Sequence, residues 1–409
     1  MPTQEQLKEY ANVLLTIGLN VQKGQPVAIG SPIEAADFVH ILTEQAYEIG
    51  ASTVHIEWAD PLIKRIRMEK EEEQYLEQVP PWSMQRMQEL IDQNAAFLMI
   101  AAEDPDLLAG IDQRRIGIAD KAFQTAYKPI RQNFMEDRVT WLVCSLPTKA
   151  WAQKIYPNVA ANEAVAKLWE AMLTIMRIDQ ENPVQAWRDH LARLEHRATF
   201  LNEKRVKKLQ YRATGTDLTI ELPDGHIWMA AGSQNAKGAH FVANLPTEEV
   251  YTLPKRDGID GTVRSTKPLV YNGIVIEGIE LTFERGRIVN YQASAGYEAL
   301  KELIETDEGS HFLGEVALVP VNSPIAESNT LFYNTLFDEN ASCHLAIGQA
   351  YPTCLQGGVA MSAEERLAAG ANDSITHEDF MVGSDDMDID GILADGSVLP
   401  IFRQGKFVI

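Results

Sequence analysis

Residues Lys207–Gly232 read KKLQYRATGTDLTIELPDGHIWMAAG, and the character of the chain changes at this stretch. Polar and apolar residues alternate, and turn-forming glycines separate the alternating runs, which is typical of β-hairpins. Residues Leu269–Ser294 (LVYNGIVIEGIELTFERGRIVNYQAS) repeat the pattern. The sequence therefore predicts a second half that is rich in antiparallel strands.

A different pattern precedes this stretch. Short apolar segments predict four strands, at residues 25–29, 52–58, 96–102 and 138–144. Segments with helical periodicity lie between them, and strands that alternate with helices are typical of an α/β domain with a mostly parallel sheet. We therefore expect an N-terminal α/β domain over residues 1–204, followed by a mixed α+β C-terminal domain over residues 205–409.

Length and charge restrict the class of protein. A chain of 409 residues exceeds the usual size of one hydrophobic core, so two domains are expected. The net charge of −22 disfavours nucleic acids and anionic membranes as partners, because both bind cationic surfaces. No apolar run approaches the length of a membrane span. The sequence contains neither a GxGxxG nor a GxxxxGK[ST] phosphate-binding motif.

The cysteines and the N-terminal residues predict a cytoplasmic location. Only three cysteines occur, without a CxxC pair, which favours a reducing compartment over a disulfide framework or a thiolate zinc site. The first ten residues, MPTQEQLKEY, lack the basic and apolar segments of a secretory signal.

Two segments of the second half concentrate potential metal ligands. They are FDENASCHLAIGQAYPTC at residues 337–354 and THEDFMVG at residues 376–383. Their candidate ligands are Glu339, His344, Tyr351, His377 and Asp379. Imidazole, carboxylate and phenol oxygen are side-chain groups that bind borderline or hard divalent ions without a thiolate.

The spacing within each segment predicts which side chains lie together. We expect a helix over residues 340–350, which would place His344 and Tyr351 on one face because seven residues make two turns. We expect a strand at His377, so that His377 and Asp379 share a face by alternation.

Two further segments supply glutamates. NLPTEEVYTLP at residues 244–254 contains Glu248 and Glu249, and GEVALVP at residues 314–320 contains Glu315. Each glutamate taken alone is best explained as a solvated residue at the end of a strand. Together with the histidines, however, they form a set of ionisable groups whose burial without a cation would be costly.

Four segments together, in this order, resemble the signature segments of the aminopeptidase T / aminopeptidase S (PepS) group, family twenty-nine of the metallopeptidases. They are NLPTEEVYTLP, GEVALVP, DENASCHLAIGQAY and HEDFMVGSDDMDIDG. The resemblance covers the C-terminal half at the level of motifs and the N-terminal half only in domain type. It implies a cytosolic, homodimeric, metal-dependent aminopeptidase that acts on peptides with a free amino terminus. Two divalent ions per chain are implied, either zinc, cobalt or manganese.

The resemblance also implies roles for individual residues. Carried over position by position, it implies a metal-ligand set of Glu249, Glu315, Glu339, His344, Tyr351, His377 and Asp379, with Glu339 the least supported. Glu315 would be either a ligand shared by two ions or the base that takes a proton from water, and Tyr351 either a ligand or a donor to the oxyanion. Two ions roughly 3.5–4 Å apart would polarise the peptide carbonyl and lower the pKa of water.

Three alternatives stay open. A two-metal hydrolase could act on a different bond, as a dipeptidase or an amidohydrolase. A dipeptidase would need a cation for the free carboxylate of its substrate, and Lys255, Arg256 and Arg264 follow Glu249. A non-catalytic protein could use the same residues to bind metal. A cysteine nucleophile at Cys343 is disfavoured, because adjacent helical residues point about 100° apart.

Overall fold

The computed structural model describes residues 1–102 and 104–409. Packing divides the described chain into two compact units. The first contains Met1–Ala192, Ala231–Thr247 and Phe332–Leu336. The second contains Arg193–Ala230, Glu248–Leu331 and Phe337–Ile409.

The first unit contains a four-stranded parallel sheet. Its strands are β1 (Val27–Pro32), β2 (Val54–Ala59), β3 (Ala96–Ile100) and β4 (Trp141–Cys144). The strand order is β2-β1-β3-β4, and all three pairings are parallel. Strands β1 and β3 are buried along nearly their whole length, and their sequences are accordingly mostly apolar. The predicted α/β class of this region is confirmed.

Helices alternate with these strands. They are α1 (Gln4–Val13), α2 (Ala36–Ile49), α3 (Pro61–Lys70), α4 (Glu73–Leu76), α5 (Pro81–Asp92), α6 (Gln113–Met135), α7 (Lys149–Ile155), α8 (Ala161–Ile175) and α9 (Pro183–Lys204). Thr3 and Gln6 form a capping box at the start of α1. Gly50 ends α2 in the left-handed region at φ +112°, a conformation in which glycine carries no Cβ penalty. None of the described helices is long and apolar enough to cross a membrane.

The chain after α9 consists mainly of short strands. They are β5 (Lys208–Ala213), β6 (Thr216–Glu221), β7 (Gly232–Gln234), β8 (His240–Val242), β9 (Val250–Thr252), β10 (Ile259–Arg264), β11 (Leu269–Tyr271), β12 (Ile274–Ile276), β13 (Glu280–Glu284), β14 (Arg287–Gln292), β15 (Leu313–Leu318), β16 (His344–Gly348), β17 (His377–Met381), β18 (Asp388–Ile392), β19 (Val398–Arg403) and β20 (Lys406–Phe407). The helices are α10 (Tyr297–Ile304), α11 (Pro324–Glu327), α12 (Thr335–Asp338) and α13 (Ala363–Ala368).

Antiparallel pairing dominates the second unit, as the hairpin pattern predicted. One sheet has eight strands in the order β14-β13-β10-β6-β5-β18-β19-β20. A second sheet has the order β17-β16-β15-β9, and all three of its pairings are antiparallel. Strands β11 and β12 form a separate hairpin.

Pairing at the edge of the parallel sheet explains why the first unit includes a segment from the second half of the chain. The Val143 amide donates to the Ala243 carbonyl at 2.7 Å, and the Leu245 amide donates to the Val143 carbonyl at 3.0 Å. Residues 231–247 therefore pack in the first unit, whereas the sequence suggested one boundary after residue 204. The domain limits 1–204 and 205–409 stay a prediction.

The helix predicted over residues 340–350 is wrong. Residues Glu339–Ala341 form a 3-10 turn, and His344–Gly348 form strand β16. Every residue of β16 is buried, so the strand shows a continuous apolar run instead of alternation, and such a run does not separate a strand from a buried helix. Tyr351 lies beyond the strand in extended conformation, so it shares no helical face with His344.

Candidate metal centre

Both histidines and two of the carboxylates lie on one face of the antiparallel sheet β17-β16-β15-β9. Ala346 of β16 is paired with Glu315 of β15 on one side and with Asp379 of β17 on the other. Directly opposed residues share a face of a sheet, and so do residues two apart along a strand. His344 and His377 therefore project on the same side as both carboxylates. The small Ala346 side chain lies between them.

Glu249 reaches this face from the remaining strand. It immediately precedes β9, in which Tyr251 is paired with Ala317. Ala317 is in turn paired with His344, so alternation places Glu249 on the side of the histidine. Glu249 Oε2 lies 3.0 Å from His344 Nε2.

The side chains form two groups with one common member. The first group is Glu249, Glu315 and His344, the second is Glu315, His377 and Asp379, and each residue offers one ligand atom within 4.8 Å of the others in its group. Glu315 Oε1 lies 3.6 Å from His344 Nε2, and Glu315 Oε2 lies 3.6 Å from His377 Nε2. Asp379 Oδ1 lies 4.0 Å from His344 Nε2, and Asp379 Oδ2 lies 3.7 Å from His377 Nε2.

The donor set fits divalent cations. Glu249 Oε2 and His344 Nε2 lie 3.0 Å apart but without the geometry of a hydrogen bond, and neither they nor Asp379 Oδ1 have a hydrogen-bond partner among the described residues. Orphaned polar atoms of this kind are costly, and carboxylate oxygens converging with imidazole nitrogens are ordinary ligands of zinc, cobalt or manganese. A cation would neutralise the buried charge and satisfy these atoms.

Two main-chain carbonyls orient the histidine rings. His344 Nδ1 lies 2.9 Å from the Glu339 carbonyl oxygen, and His377 Nδ1 lies 2.7 Å from the Gln349 carbonyl oxygen. Because a carbonyl only accepts, each Nδ1 donates, and each Nε2 is left to face the carboxylates, where the neutral ring could ligate an ion. Sequence reasoning missed these contacts, since a main-chain acceptor leaves no signal in residue type.

Burial and mutual proximity shift the pKa values of the cluster. Burial raises the pKa of Glu315 to about 7, the contact with His344 opposes the rise, and Asp379 adds to it. Burial, and then Asp379, raises the pKa of Glu339 well above its ordinary value. For His344, burial lowers the pKa, but the adjacent carboxylates of Glu249 and Glu315 outweigh burial and raise it. Without a cation, the cluster therefore retains protons near neutral pH.

Glu339 and Glu248 lie outside the two groups, which are defined by histidine, cysteine, aspartate and glutamate side chains, and Tyr351 lies beside one of the grouped histidines. Glu339 is 6% exposed in the 3-10 turn before β16, and neither ligand group of the described residues contains it. Glu248 is also buried, and its amide donates to Asn340 Oδ1 at 2.7 Å. The Tyr351 ring contacts the His377 ring with centroids 5.0 Å apart. Burial, and then the charge of Glu315, raises the pKa of Tyr351 well above 10, so its hydroxyl stays protonated.

The cations that a dipeptidase would need are engaged elsewhere in the second unit. Their contacts are Lys255 Nζ with Asp257 at 3.0 Å, Arg256 Nε with Asn372 Oδ1 at 3.0 Å, and Arg264 Nε with Glu280 at 3.6 Å. All three partners are residues outside the two ligand groups.

Cys343 has the properties of a structural thiol. Its Sγ lies 3.4 Å from both the amide nitrogen and the carbonyl oxygen of Val319. Burial raises the pKa of the Cys343 thiol to about 11. Reactive cysteines have lowered pKa values, so this environment disfavours a nucleophilic role.

Comparison with known proteins covers nearly the whole chain. The family described as thermophilic metalloprotease (M29) matches residues 3–407. Aminopeptidase AmpS of Bacillus subtilis (strain 168) is 49% identical over 403 residues, which are 98% of each chain. Aminopeptidase T of Thermus aquaticus is 41% identical over 405 residues, which are 99% of each chain.

A solved structure supports the same relationship. Wild-type AmpT from Thermus thermophilus matches with a TM-score of 0.91 and 39% identity, covering 99% of this chain and 100% of that chain. The family match and these similarities agree with the predicted metal-dependent peptidase. The chain belongs to the thermophilic metalloprotease family M29 and is a metallo-aminopeptidase.

Proposed function

We propose that this chain releases N-terminal amino acids from peptides at a centre that holds two divalent ions. The observation that carries the proposal is the position of Glu315, whose two carboxylate oxygens lie at equal distances, 3.6 Å, from the Nε2 atoms of two different histidines. A carboxylate placed in this way can serve two ions at once.

Each ligand group would hold one of the two ions. Glu249, Glu315 and His344 would hold one ion, and Glu315, His377 and Asp379 would hold the other. Zinc, cobalt and manganese all suit this set of oxygen and nitrogen donors. When bound, such ions polarise a peptide carbonyl, lower the pKa of a water molecule and favour ionised carboxylates nearby.

Glu339 is the carboxylate that we assign to proton transfer. Both oxygens of Glu315 face histidines of the ligand groups, so the shared-ligand role suits Glu315 better than the role of base. Glu339 is buried, lies outside the groups and is close enough to Asp379 and His344 for their charges to affect its pKa. Its carboxylate would take a proton from water and return it to the leaving amine.

Tyr351 would act as a hydrogen-bond donor. Its ring contacts the ring of His377, and burial raises the pKa of its hydroxyl. A donor in this position would stabilise negative charge that develops on the carbonyl oxygen.

We extend the proposal to the setting of the enzyme. Cys144, Cys343 and Cys354 are buried free thiols, which suits the cytoplasm. The homodimer rests on the family resemblance. A dipeptidase is less well supported, because Lys255, Arg256 and Arg264 have other partners, and a purely metal-binding protein would have no need of Glu339 and Tyr351 beside the ligands.

Hydrolysis of aminoacyl chromogenic amides tests the activity. Chelator-treated protein would be assayed with zinc, cobalt or manganese restored singly, on free-amine substrates and on a matched N-acetylated substrate. We expect metal-dependent release from the free-amine substrates only. Tight metal binding without hydrolysis of any substrate would instead favour the non-catalytic alternative.

A further inference from the structure

The two histidines differ in how their carbonyl acceptors are held. The carbonyl that orients His344 belongs to Glu339, in the turn that immediately precedes its strand. The carbonyl that orients His377 belongs to Gln349, which follows β16 and is 28 positions away in the chain. Gly348 and His377 form the last pair between the two strands, so the Gln349 carbonyl lies just beyond the ladder and needs further support.

Gln349 supplies that support through both ends of its side chain. It is 7% exposed. Its Oε1 accepts from the Ser374 amide at 2.9 Å, and its Nε2 donates to the Ala350 carbonyl at 3.0 Å. Its own amide donates to the Thr376 carbonyl at 2.8 Å. The residue therefore ties the end of β16 to the segment that leads into His377.

A partly buried polar network also holds this segment. Ser374 Oγ donates to Asp307 Oδ1 at 2.8 Å, and the Ile375 amide donates to Asp307 Oδ2 at 2.7 Å. Asn372 Nδ2 donates to the Gly348 carbonyl at 2.6 Å and to the Gly309 carbonyl at 2.8 Å. A fully paired network of this kind fixes one arrangement of the backbone.

Gly348 shows how closely the two strands approach here. It has φ +110°, and a Cβ at this position would lie 2.3 Å from the Thr376 carbonyl oxygen. A side chain at this position would disturb the connection that places the Gln349 carbonyl beside the His377 ring.

We propose that Gln349 is a positioning residue for one half of the metal centre. This inference rests on the proposed two-ion function. Gln349 holds the carbonyl that fixes the His377 ring, so it acts on the group Glu315, His377 and Asp379. The group of Glu249, Glu315 and His344 has a separate carbonyl and does not depend on it. Supporting contacts of this kind change metal affinity by about 10-fold to 100-fold.

The test is a calorimetric zinc titration of the chelator-treated full chain. We expect two binding steps in the unmodified protein. In Gln349→Met, which has a similar length but no amide, one step should weaken by about 10-fold to 100-fold while the other changes little. Equal weakening of both steps, or no change, would overturn the role of Gln349.

A matched control and a second readout separate the possible failures. Thr252→Val alters a strand of the same sheet and removes one partly buried hydrogen bond, from Thr252 Oγ1 to the Ile227 carbonyl at 2.9 Å. It should leave both binding steps intact. Nitrogen NMR of labelled histidines, without metal, should show that Gln349→Met changes the ring tautomer of His377 and not that of His344.

A single binding step in the unmodified protein would contradict the two-ion function, and the NMR spectra would then decide the role of Gln349. If Gln349→Met does not fold, Asp307→Asn should produce the same selective loss in a weaker form.

Discussion

Glu315 and Asp379 flank Ala346 from neighbouring strands, and each carboxylate directs one oxygen toward His344 and the other toward His377. Antiparallel register produces this symmetry, because opposed residues share one face. The relationship explains how three short strands and one preceding residue can create two adjoining ligand groups.

Glu315→Gln separates the role of shared ligand from the role of base. An amide in place of the common carboxylate removes a ligand from both groups, so we expect a large loss of affinity for both ions together with loss of activity. Metal analysis after gel filtration measures the first effect and amide hydrolysis the second. Normal metal content in an inactive variant would return Glu315 to the role of base.

Glu339→Gln should lose activity without losing metal. Because Glu339 lies outside both ligand groups, we expect metal content to stay normal while kcat falls by about 100-fold to 10,000-fold, the range typical of general acid–base groups. Comparison of kcat and bound metal in the same preparation checks this. Loss of an ion from this variant would identify Glu339 as a ligand instead.

Most residues of the candidate centre were predicted from sequence, because ligand chemistry depends on residue type, and their role as ligands stays a prediction. Glu249, Glu315, His344, His377 and Asp379 were all identified from segments that also carry the family resemblance. The geometry of His344 was not predicted, since fully buried β16 lacks the alternation that identifies a strand. Gln349 was missed because its contribution passes through main-chain atoms.

The fold also has parts that local sequence patterns predict and parts that contacts between distant residues determine. Apolar runs separated by helices indicated the parallel sheet, and alternation with glycine turns indicated the antiparallel half. The return of residues 243–245 to the edge of β4 depends on pairing between distant parts of the chain, which no local pattern encodes.

The stability of the metal-free protein should fall as pH rises. The folded-state pKa of Glu315 is raised to about 7 and that of His344 is also raised, so the folded state binds more protons than the unfolded state across the neutral range. The contribution of Glu315 to stability is therefore lost as pH rises from its ordinary pKa of 4.5 to its folded-state pKa of about 7. The contribution of His344 is lost at higher pH, as pH rises through its raised pKa. Calorimetric melting of chelator-treated protein at several pH values measures this, and a stability that rises over the same window would contradict it.

Metal binding should show the converse dependence. Ligands must lose their protons to bind a cation, so affinity should increase between pH 6 and pH 8 and protons should be released. Titration calorimetry in buffers with different ionisation enthalpies counts those protons. Binding that is independent of both pH and buffer would mean that Glu315 and His344 are already deprotonated.

Ala346→Leu tests whether the space between the two carboxylates is needed. The larger side chain would occupy the position between Glu315 and Asp379, so we expect loss of metal binding at a stability cost of ~1–3 kcal/mol. The control is Leu345→Ile, which changes shape on the opposite face of the same strand. Retained binding in Ala346→Leu would show that the ions lie elsewhere.

Arg264→Ala tests the dipeptidase alternative. Arg264 is paired with Glu280, so its removal should leave the ratio of activities on dipeptides and longer peptides unchanged. A selective loss of dipeptide hydrolysis would instead identify a cation that binds the free carboxylate of the substrate.

Anomalous diffraction from crystals of the zinc-loaded enzyme tests the central claim most directly. Two peaks are expected, one contacting Glu249, Glu315 and His344 and the other contacting Glu315, His377 and Asp379. Data on both sides of the zinc edge would identify the element at each peak. A single peak, or two peaks that do not share Glu315, would contradict a centre built around that carboxylate.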